Sequence, residues 1–307
     1  YGDGGYYFGQ NVGNKMPGAS EVSRSNPDAK WETAVKQNYG VDATFLAERL
    51  TVSLDYFRED RSDILSKPDY LPAILGMSLP SVNVGETLNR GFEVQLKWNE
   101  TLKNDFRYWA NFNISFSRNK IVYKNEVDQN EPWMYETGRR IGSRSMYKFW
   151  GFYDETADIG YTDMPEYTAG LNTGFSWKNF DFSMQWTGAW NVDRMLDEFR
   201  RPLGDTNEKG LLLYQYDTTW RSSADTFTAK FPRTSSLHAS NNYAGSDLYL
   251  INASYLRLKS VEIGYNFNFP FMKKLKMDNC RLYVNGYNLI TITGFKWGDP
   301  ESRQSSR

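Results

Sequence analysis

Apolar and polar residues alternate with period two along most of this chain. Val35, Tyr39, Val41, Ala43 and Phe45 share one face of a predicted strand, with Lys36, Asn38, Asp42 and Thr44 on the other. Leu50, Val52, Leu54 and Tyr56 alternate with Thr51, Ser53 and Asp55, and Phe92, Val94, Leu96 and Trp98 with Glu93, Gln95 and Lys97. The longest row is Phe106, Tyr108, Ala110, Phe112, Ile114 and Phe116, set against Arg107, Asn111, Asn113, Ser115 and Ser117. Tyr167, Ala169, Leu171, Phe175 and Trp177 follow, then Phe180, Phe182, Met184 and Trp186, then Val261, Ile263, Tyr265 and Phe267, and finally Leu282, Val284, Ile290 and Ile292. Successive side chains of a strand point to opposite faces, so each run reads as a strand with one dry and one wet side. About eight strands are visible, nine if one precedes Asn26. Runs of about ten residues are what a tilted membrane-spanning strand requires.

The stretch FSWKNFDFSMQW, residues 175 to 186, shows the pattern at its sharpest. A two-residue turn at Lys178-Asn179 sets Trp177 opposite Phe180, Phe175 opposite Phe182 and Thr173 opposite Met184. Ser176, Asp181, Ser183 and Gln185 then fall on the reverse face.

The connections have a rhythm of their own. Ala47 to Arg49, Glu100 to Asp105 and Lys178-Asn179 are short, Pro270 to Asn279 is moderate, and 61–87, 123–165 and 191–254 are long. Short and long alternate, as periplasmic turns and extracellular loops do in an outer-membrane barrel. A soluble sandwich whose aromatic faces pack on a second sheet explains the strands equally well. It does not readily accommodate an unstructured connection as long as 191–254, because loops beyond about 15 residues are uncommon in compact domains.

Composition narrows the choice. With 36 basic against 37 acidic residues, nothing points to nucleic acid. No apolar run approaches the ~18 residues of a membrane helix, which excludes a helical membrane protein but not a barrel, whose strands are only half apolar. Cys280 and His238 are each single, so no internal disulfide, cysteine zinc site or histidine cluster is expected, and no metal or cofactor. The chain begins at Tyr1 without an initiator methionine or signal peptide, and we expect it to be part of a longer polypeptide.

Catalysis is not expected. Glu59/Asp60 and Asp197/Glu198 supply adjacent carboxylates, and a glycosidase needs two about 5 to 9 Å apart. Among 37 acidic residues such neighbours arise by chance, and histidine, the commonest acid-base group, is almost missing. The glycine-rich opening YGDGGYYFG lacks phosphate-loop spacing and reads as a flexible loop.

Several stretches together resemble one family. NPDAKWETAVKQNYGVD (26–42), VGETLNRGFEVQLKW (84–98), GRRIGSRSMYKFWGF (138–152) and MPEYTAGLNTGFSWKNFDFSMQWTGAWN (164–191) are similar to consecutive blocks of the SusC/RagA family of TonB-dependent outer-membrane transporters. The most specific block, SYLRLKSVEIGYNFNFPFMKKLKMDNCRLYVNGYNLITITGFKWGDPE (254–301), resembles the family's C-terminal run of an SYLRLK strand, a GY strand, an NL strand and a DPE loop. The resemblance implies an all-β fold, an antiparallel transmembrane β-barrel of about 22 strands filled by an N-terminal plug. Residues 1–307 would be the C-terminal portion of that barrel, with plug, TonB box and last strand outside them. It further implies import of large nutrients across the outer membrane of a Gram-negative bacterium, driven by TonB, beneath a SusD-like surface lipoprotein acting as a lid. Cargo in such transporters is oligosaccharide in many cases and oligopeptide in others; the alternative from another class is a soluble β-rich carbohydrate-binding module. One departure is local: the acidic loop of the family is shortened at Asp158-Gly160, and the chain is not expected to be continuous there.

Two sets of aromatic residues follow as candidates. Trp133, Tyr135, Tyr214, Tyr216, Trp220 and Tyr243 lie in predicted loops, where a ring can stack on a sugar or grip a lid, or pack within its own loop. Phe175, Trp177, Phe180, Phe182 and Trp186, with Trp98, Phe106 and Tyr108, would face lipid, several of them as an interfacial girdle. Lys36, Asp42, Glu93, Lys97, Asn111 and Gln185 would line the lumen.

Overall fold

A computed structural model describes residues 2–7, 15–20, 25–67, 79–149, 153–158, 161–196, 212–225, 228–233, 244–267 and 280–302. The hairpin β1 (Gly2–Tyr7) and β2 (Lys15–Ser20) comes first. Long strands β3 (Thr33–Phe45), β4 (Leu50–Ser66), β5 (Val82–Thr101) and β6 (Phe106–Tyr123) follow. Next are β7 (Ser145–Phe149), β8 (Tyr153–Asp158), β9 (Tyr167–Trp177), β10 (Phe180–Trp190) and β11 (Asp193–Met195). The short helix α1 (Leu213–Thr218) precedes β12 (Leu250–Asn252), β13 (Tyr255–Phe267) and β14 (Cys280–Thr293). The eight long strands form one sheet in the order β14-β13-β10-β9-β6-β5-β4-β3, with every neighbour next in line among the sheet's own strands. Its strands run up to 20 residues, about twice what a tilted bilayer crossing needs.

Two corrections concern segments read as loops. The glycine-rich opening is strand β1, with Gly2 opposite Ser20, Gly5 opposite Pro17 and Tyr7 opposite Lys15. Low strand propensity does not prevent a glycine backbone from making ladder hydrogen bonds when a partner strand is supplied. The long connections also carry structure: Arg61–Ser66 and Val82–Thr87 are strand, β7 pairs with β8, and β11 with β12. The junction at residues 159–160 lies outside the described residues, as do Asp197 and Glu198.

The chain divides into two compact units, residues 1–37, 58–90 and 119–141, and residues 38–57, 91–118 and 142–307. In the second unit the cross-strand register sorts side chains cleanly. One face carries the rows Phe106, Trp177, Phe180, Tyr265 and Leu282, then Tyr108, Phe175, Phe182, Ile263 and Val284. The reverse face carries Arg107, Ser176, Asp181, Gly264 and Tyr283, then Asn111, Asn172, Gln185, Ser260 and Tyr287. Trp177–Phe180, Phe175–Phe182 and Thr173–Met184 pair as the alternation predicts, and Lys178 takes the left-handed backbone of the turn at φ 52°. Rings on the dry face stack across strands, Phe106 on Phe175 at 5.6 Å and Phe175 on Phe182 at 5.4 Å between centroids.

A bulge in β13 changes this phase. Gln185 faces Ser260 but Trp186 faces Leu258, so Lys259 is the extra residue. The bulge sends Leu258 and Leu256 to the dry face and Arg257, opposite Thr187 and Thr291, to the wet one.

Conventional burial is concentrated beyond the strand ends of the second unit. Val192, Leu196, Tyr249, Ala253 and Met146 are buried, Tyr249 with only 1% exposure. Backbone bonds from Leu196 to Tyr249 (2.9 Å) and from Ala253 to Val192 (2.8 Å) extend the β10–β13 pair into β11–β12. The dry face of the sheet is by contrast open: Ile263 is 54% and Val284 73% exposed. All other sheets among the described residues are two-stranded.

In the first unit, side chains of β3, of the residues just before it and of β4 form a ladder of ion pairs. Lys30 meets Asp63 at 2.9 Å, Arg61 meets Glu32 and, at 2.6 Å, Glu59, and Lys36 meets Glu59 at 3.5 Å. Glu59 and Asp60, the adjacent carboxylates, point to opposite sides of the strand, and Asp60 is held by Arg58 at 2.7 Å. They do not form an acid-base pair.

Candidate functional site: the wet face and the segments at its long-loop end

The wet face of β4, β5, β6 and β9 holds a groove of about 330 Å³ lined by Ser53, Asp55, Glu93, Gln95, Asn113 and Thr168, with Ser115. Ser115 and Thr168 share a 2.8 Å hydroxyl–hydroxyl bond, and the remaining donors and acceptors line a concave strip. Glycines keep it open: a Cβ at Gly170 would meet Asn113 Oδ1 at 2.7 Å, and one at Gly40 would meet Asp55 Oδ1 at 2.6 Å. Two carboxylates, amides and hydroxyls so arranged can hydrogen-bond a polar solute without chemistry upon it.

Near the short-turn end, Arg281 reaches across β13 to Asp181. Its Nε donates to Asp181 Oδ1 at 3.0 Å, its Nη2 to the other carboxylate oxygen, and Nη2 also donates to Glu262 at 2.6 Å. Gly264 leaves the gap this needs, since a Cβ there would meet Arg281 Nε at 2.7 Å as well as Asp181 Oδ2. Gly264→Val is therefore expected to break the bridge and destabilise the protein by about 1–3 kcal/mol, read as a shift in the urea midpoint of the full-length protein in detergent.

At the long-loop end, Arg257 is the central residue. It is 4% exposed, and donates from Nη2 to Asp299 Oδ1 (2.5 Å), from Nη1 to Glu301 Oε2 (2.7 Å) and from Nε to Thr291 Oγ1 (3.1 Å). Lys259 donates to the same Glu301 oxygen at 2.6 Å. The Arg257 hydrogen bond holds the Asp299 carboxyl below its ordinary 3.8. The SYLRLK strand and the DPE loop are thus bound to each other, and the loop carries Trp297 into a ring cluster. Tyr214 lies 4.4 Å and Phe231 6.1 Å from Trp297, with Tyr214 and Phe231 5.8 Å apart. Burial pushes the Tyr214 hydroxyl up to about 12.

The loop aromatics separate by environment. Tyr135 is tied inside its own loop, where its hydroxyl donates to Asp128 at 2.6 Å and accepts from the Gln129 N–H at 2.9 Å. The bond to Asp128 raises the Tyr135 hydroxyl above its ordinary value. Trp133, half-buried in the same loop, accepts from Arg139 through its carbonyl. Tyr214 packs as above, and half-buried Trp220 is held through its N–H to the Phe231 carbonyl at 2.8 Å. Tyr216 is 53% exposed beneath the Arg221 guanidinium, 4.3 Å from its centroid, and Leu213 on the same helix is 75% exposed. Tyr243 lies outside the described residues. Arg257, Arg281, Asp299 and Glu301 were not singled out by sequence reasoning. The available signal was Arg257 and Lys259 alternating with Leu256 and Leu258 in the SYLRLK run, together with the acidic DPE turn that follows β14.

Residues 1–289 match the family model described as "TonB dependent receptor-like, beta-barrel". The chain is 26% identical to TonB-dependent receptor P3 of Formosa agariphila over 91% of this chain and 31% of that one. It is 23% identical to TonB-dependent receptor SusC of Bacteroides thetaiotaomicron over 94% of this chain and 31% of that one. Among solved structures it is similar to the RagAB peptide transporter, with a TM-score of 0.69 at 20% identity over 97% of this chain and 35% of that chain. The chain therefore spans about a third of the length of the proteins it matches.

Proposed function

The chain belongs to the TonB dependent receptor-like β-barrel family, and from that premise we propose that residues 1–307 are the C-terminal portion of a plugged barrel that imports large nutrients. The family's SusC- and RagA-type members are outer-membrane proteins, and this chain is placed in that membrane with them. One observation carries the reading. In the second unit the sheet leaves a wide aromatic and aliphatic face uncovered, and puts the Arg281–Asp181 and Arg257–Asp299 pairs and the side chains of Ser53, Asn113, Ser115 and Thr168 on the reverse. An exposed apolar surface of that extent needs lipid or a partner, whereas the wet face suits a water-filled or plug-filled lumen.

On this reading Phe175, Trp177, Phe180, Phe182 and Trp186 face lipid, the long connections face outward, and a SusD-like lipoprotein closes over them. TonB acts on the plug, which precedes residue 1. The cargo is an oligosaccharide, supported by the hydroxyl- and amide-lined groove and by the exposed Tyr216 ring. An oligopeptide is the second reading, favoured by the Asp55 and Glu93 carboxylates that both line the groove and suit a cationic or amide-rich chain.

Purification of the full-length protein from outer membranes in mild detergent, with mass spectrometry of what accompanies it, tests both levels. A stoichiometric lipoprotein with bound glycan is the expected result. Bound peptide selects the second cargo, and recovery without detergent from the soluble fraction overturns the transporter reading. Leu213 and Tyr216 offer the lid an apolar patch on α1. The double substitution Leu213→Ser with Tyr216→Ala is expected to lower lipoprotein recovery about tenfold, the loss typical of an exposed aromatic anchor.

A further inference from the structure

The dry face is not uniform. Between the rows Phe112, Leu171, Trp186 and Leu258 and Phe116, Tyr167 and Trp190 lies a row in which Ala169 faces Gly188. The two small residues leave an apolar groove of about 330 Å³, walled by Phe112, Leu171, Trp186, Trp190 and Leu256 and floored by Ala169. Gly188 shapes it: a Cβ there would meet Trp190 Cη2 at 2.6 Å, so only glycine lets the indole lie along the strand. Trp190 closes the groove at the long-loop end and pairs in register with Tyr167, whose ring is 4.7 Å from Phe116. Over Phe116, at 5.5 Å, is the Arg118 guanidinium. Arg118 binds Glu166 through Nε and Nη2, both at 2.8 Å, and among the described residues its Nη1 makes no bond. Its side chain is half exposed.

A dry groove, closed by an interfacial tryptophan and topped by a cation one row further out, has the polarity order of a lipid: acyl chain below, phosphate above. We propose that this face holds a specific site for lipid A, the phosphorylated acylated glycolipid of the outer leaflet, with one acyl chain in the groove and a phosphate at Arg118 Nη1. The proposal rests on the assignment of this face to lipid. A general annulus of lipid would wet every apolar row equally; the groove singles out one position.

The test is native mass spectrometry of the full-length protein, delipidated in detergent and titrated with diphosphoryl lipid A, monophosphoryl lipid A or phosphatidylethanolamine. Ala169→Phe fills the groove, and Leu96→Phe places the same ring elsewhere on the dry face. Diphosphoryl lipid A is expected to be retained by the wild type and Leu96→Phe, and about tenfold less by Ala169→Phe, the loss from displacing roughly two buried methylenes. Monophosphoryl lipid A is expected to bind more weakly than the diphosphoryl form. Heat-modifiable migration in electrophoresis establishes that each variant is a folded barrel. A folded Ala169→Phe that retains lipid A like the wild type overturns the site, as does equal loss in Leu96→Phe. Phosphatidylethanolamine retained as strongly as lipid A overturns the assignment of the ligand. Wild-type protein that shows no heat-modifiability and stays soluble without detergent would instead sink the barrel reading on which the site depends.

Discussion

Replacement of Arg257 by alanine is expected to release residues 294–302 and, with them, the ring cluster of Tyr214, Phe231 and Trp297. The guanidinium is almost fully buried, while Asp299 and Glu301 remain 51% and 37% exposed. Removing a cation from a buried pair costs about 3–5 kcal/mol, and an exposed pair is worth less than about 1, so this half-exposed arrangement falls near 2 kcal/mol. The loss should be local. Arg257 supports the DPE turn together with Arg194, which donates to the Pro300 carbonyl at 3.4 Å, and its one side-chain bond to β14, at Thr291, is a small addition to a backbone-paired β13–β14 ladder. Hydrogen–deuterium exchange should show faster uptake in 294–302 and 212–233 with β13 and β14 unchanged, and Arg257→Lys should recover part of the protection by keeping the charge without the fork. Because Asp299 titrates below 3.8 when bonded to Arg257, its contribution is complete above that value and disappears as pH falls through the depressed one. Uptake corrected for intrinsic exchange should therefore be flat between about pH 5 and 8 and rise only below roughly pH 4. Uptake in 212–233 that is indifferent to Arg257→Ala would show that the ring cluster stands without the clamp.

The difference between what was readable and what was not follows the range of the interactions. Trp177 and Phe180 pair as expected because period two and a two-residue turn together leave only one register. The bulge at Lys259 reverses the phase of β13; its one local mark is that the alternation Leu256, Leu258 breaks before Val261, and the row of alternating residues was read only from Val261 onward. That one-residue shift puts Arg257 on the wet face, where its partners lie 42 and 44 residues away. The connection 191–254 read as a loop because β11 and β12 are three residues each and α1 only six, too short for any period to show. Burial of Val192, Leu196 and Tyr249 makes them, and burial is a property of the assembled chain. Loop aromatics were legible as candidates, but which of them are spoken for depends on Asp128, Phe231 and Trp297, none of which is a near neighbour by pattern.

The two faces of β10 give the largest contrast. Met184 lies midway along the strand on the dry face, Phe182 one row nearer the short-turn end, and Phe180 at that end. If lipid covers this face, arginine at Met184 should cost ~2–4 kcal/mol, at Phe182 less, and at Phe180 about 0–1, because the penalty follows depth in the bilayer. Ser183 faces Glu262 on one side and Gly174 on the other. Arginine there enters the wet face beside a carboxylate that already pairs with Arg281, and should be tolerated or slightly stabilising. The measurement is reversible urea unfolding of the full-length protein in phospholipid vesicles, one substitution at a time. A graded loss through Phe180, Phe182 and Met184, with Ser183→Arg near wild type, requires an apolar medium on one side only. A sheet packed on a second sheet would penalise all three dry positions alike, since a protein core has no depth axis running along the strand. Equal costs at Phe182 and Ser183 would remove the distinction between lipid and lumen altogether.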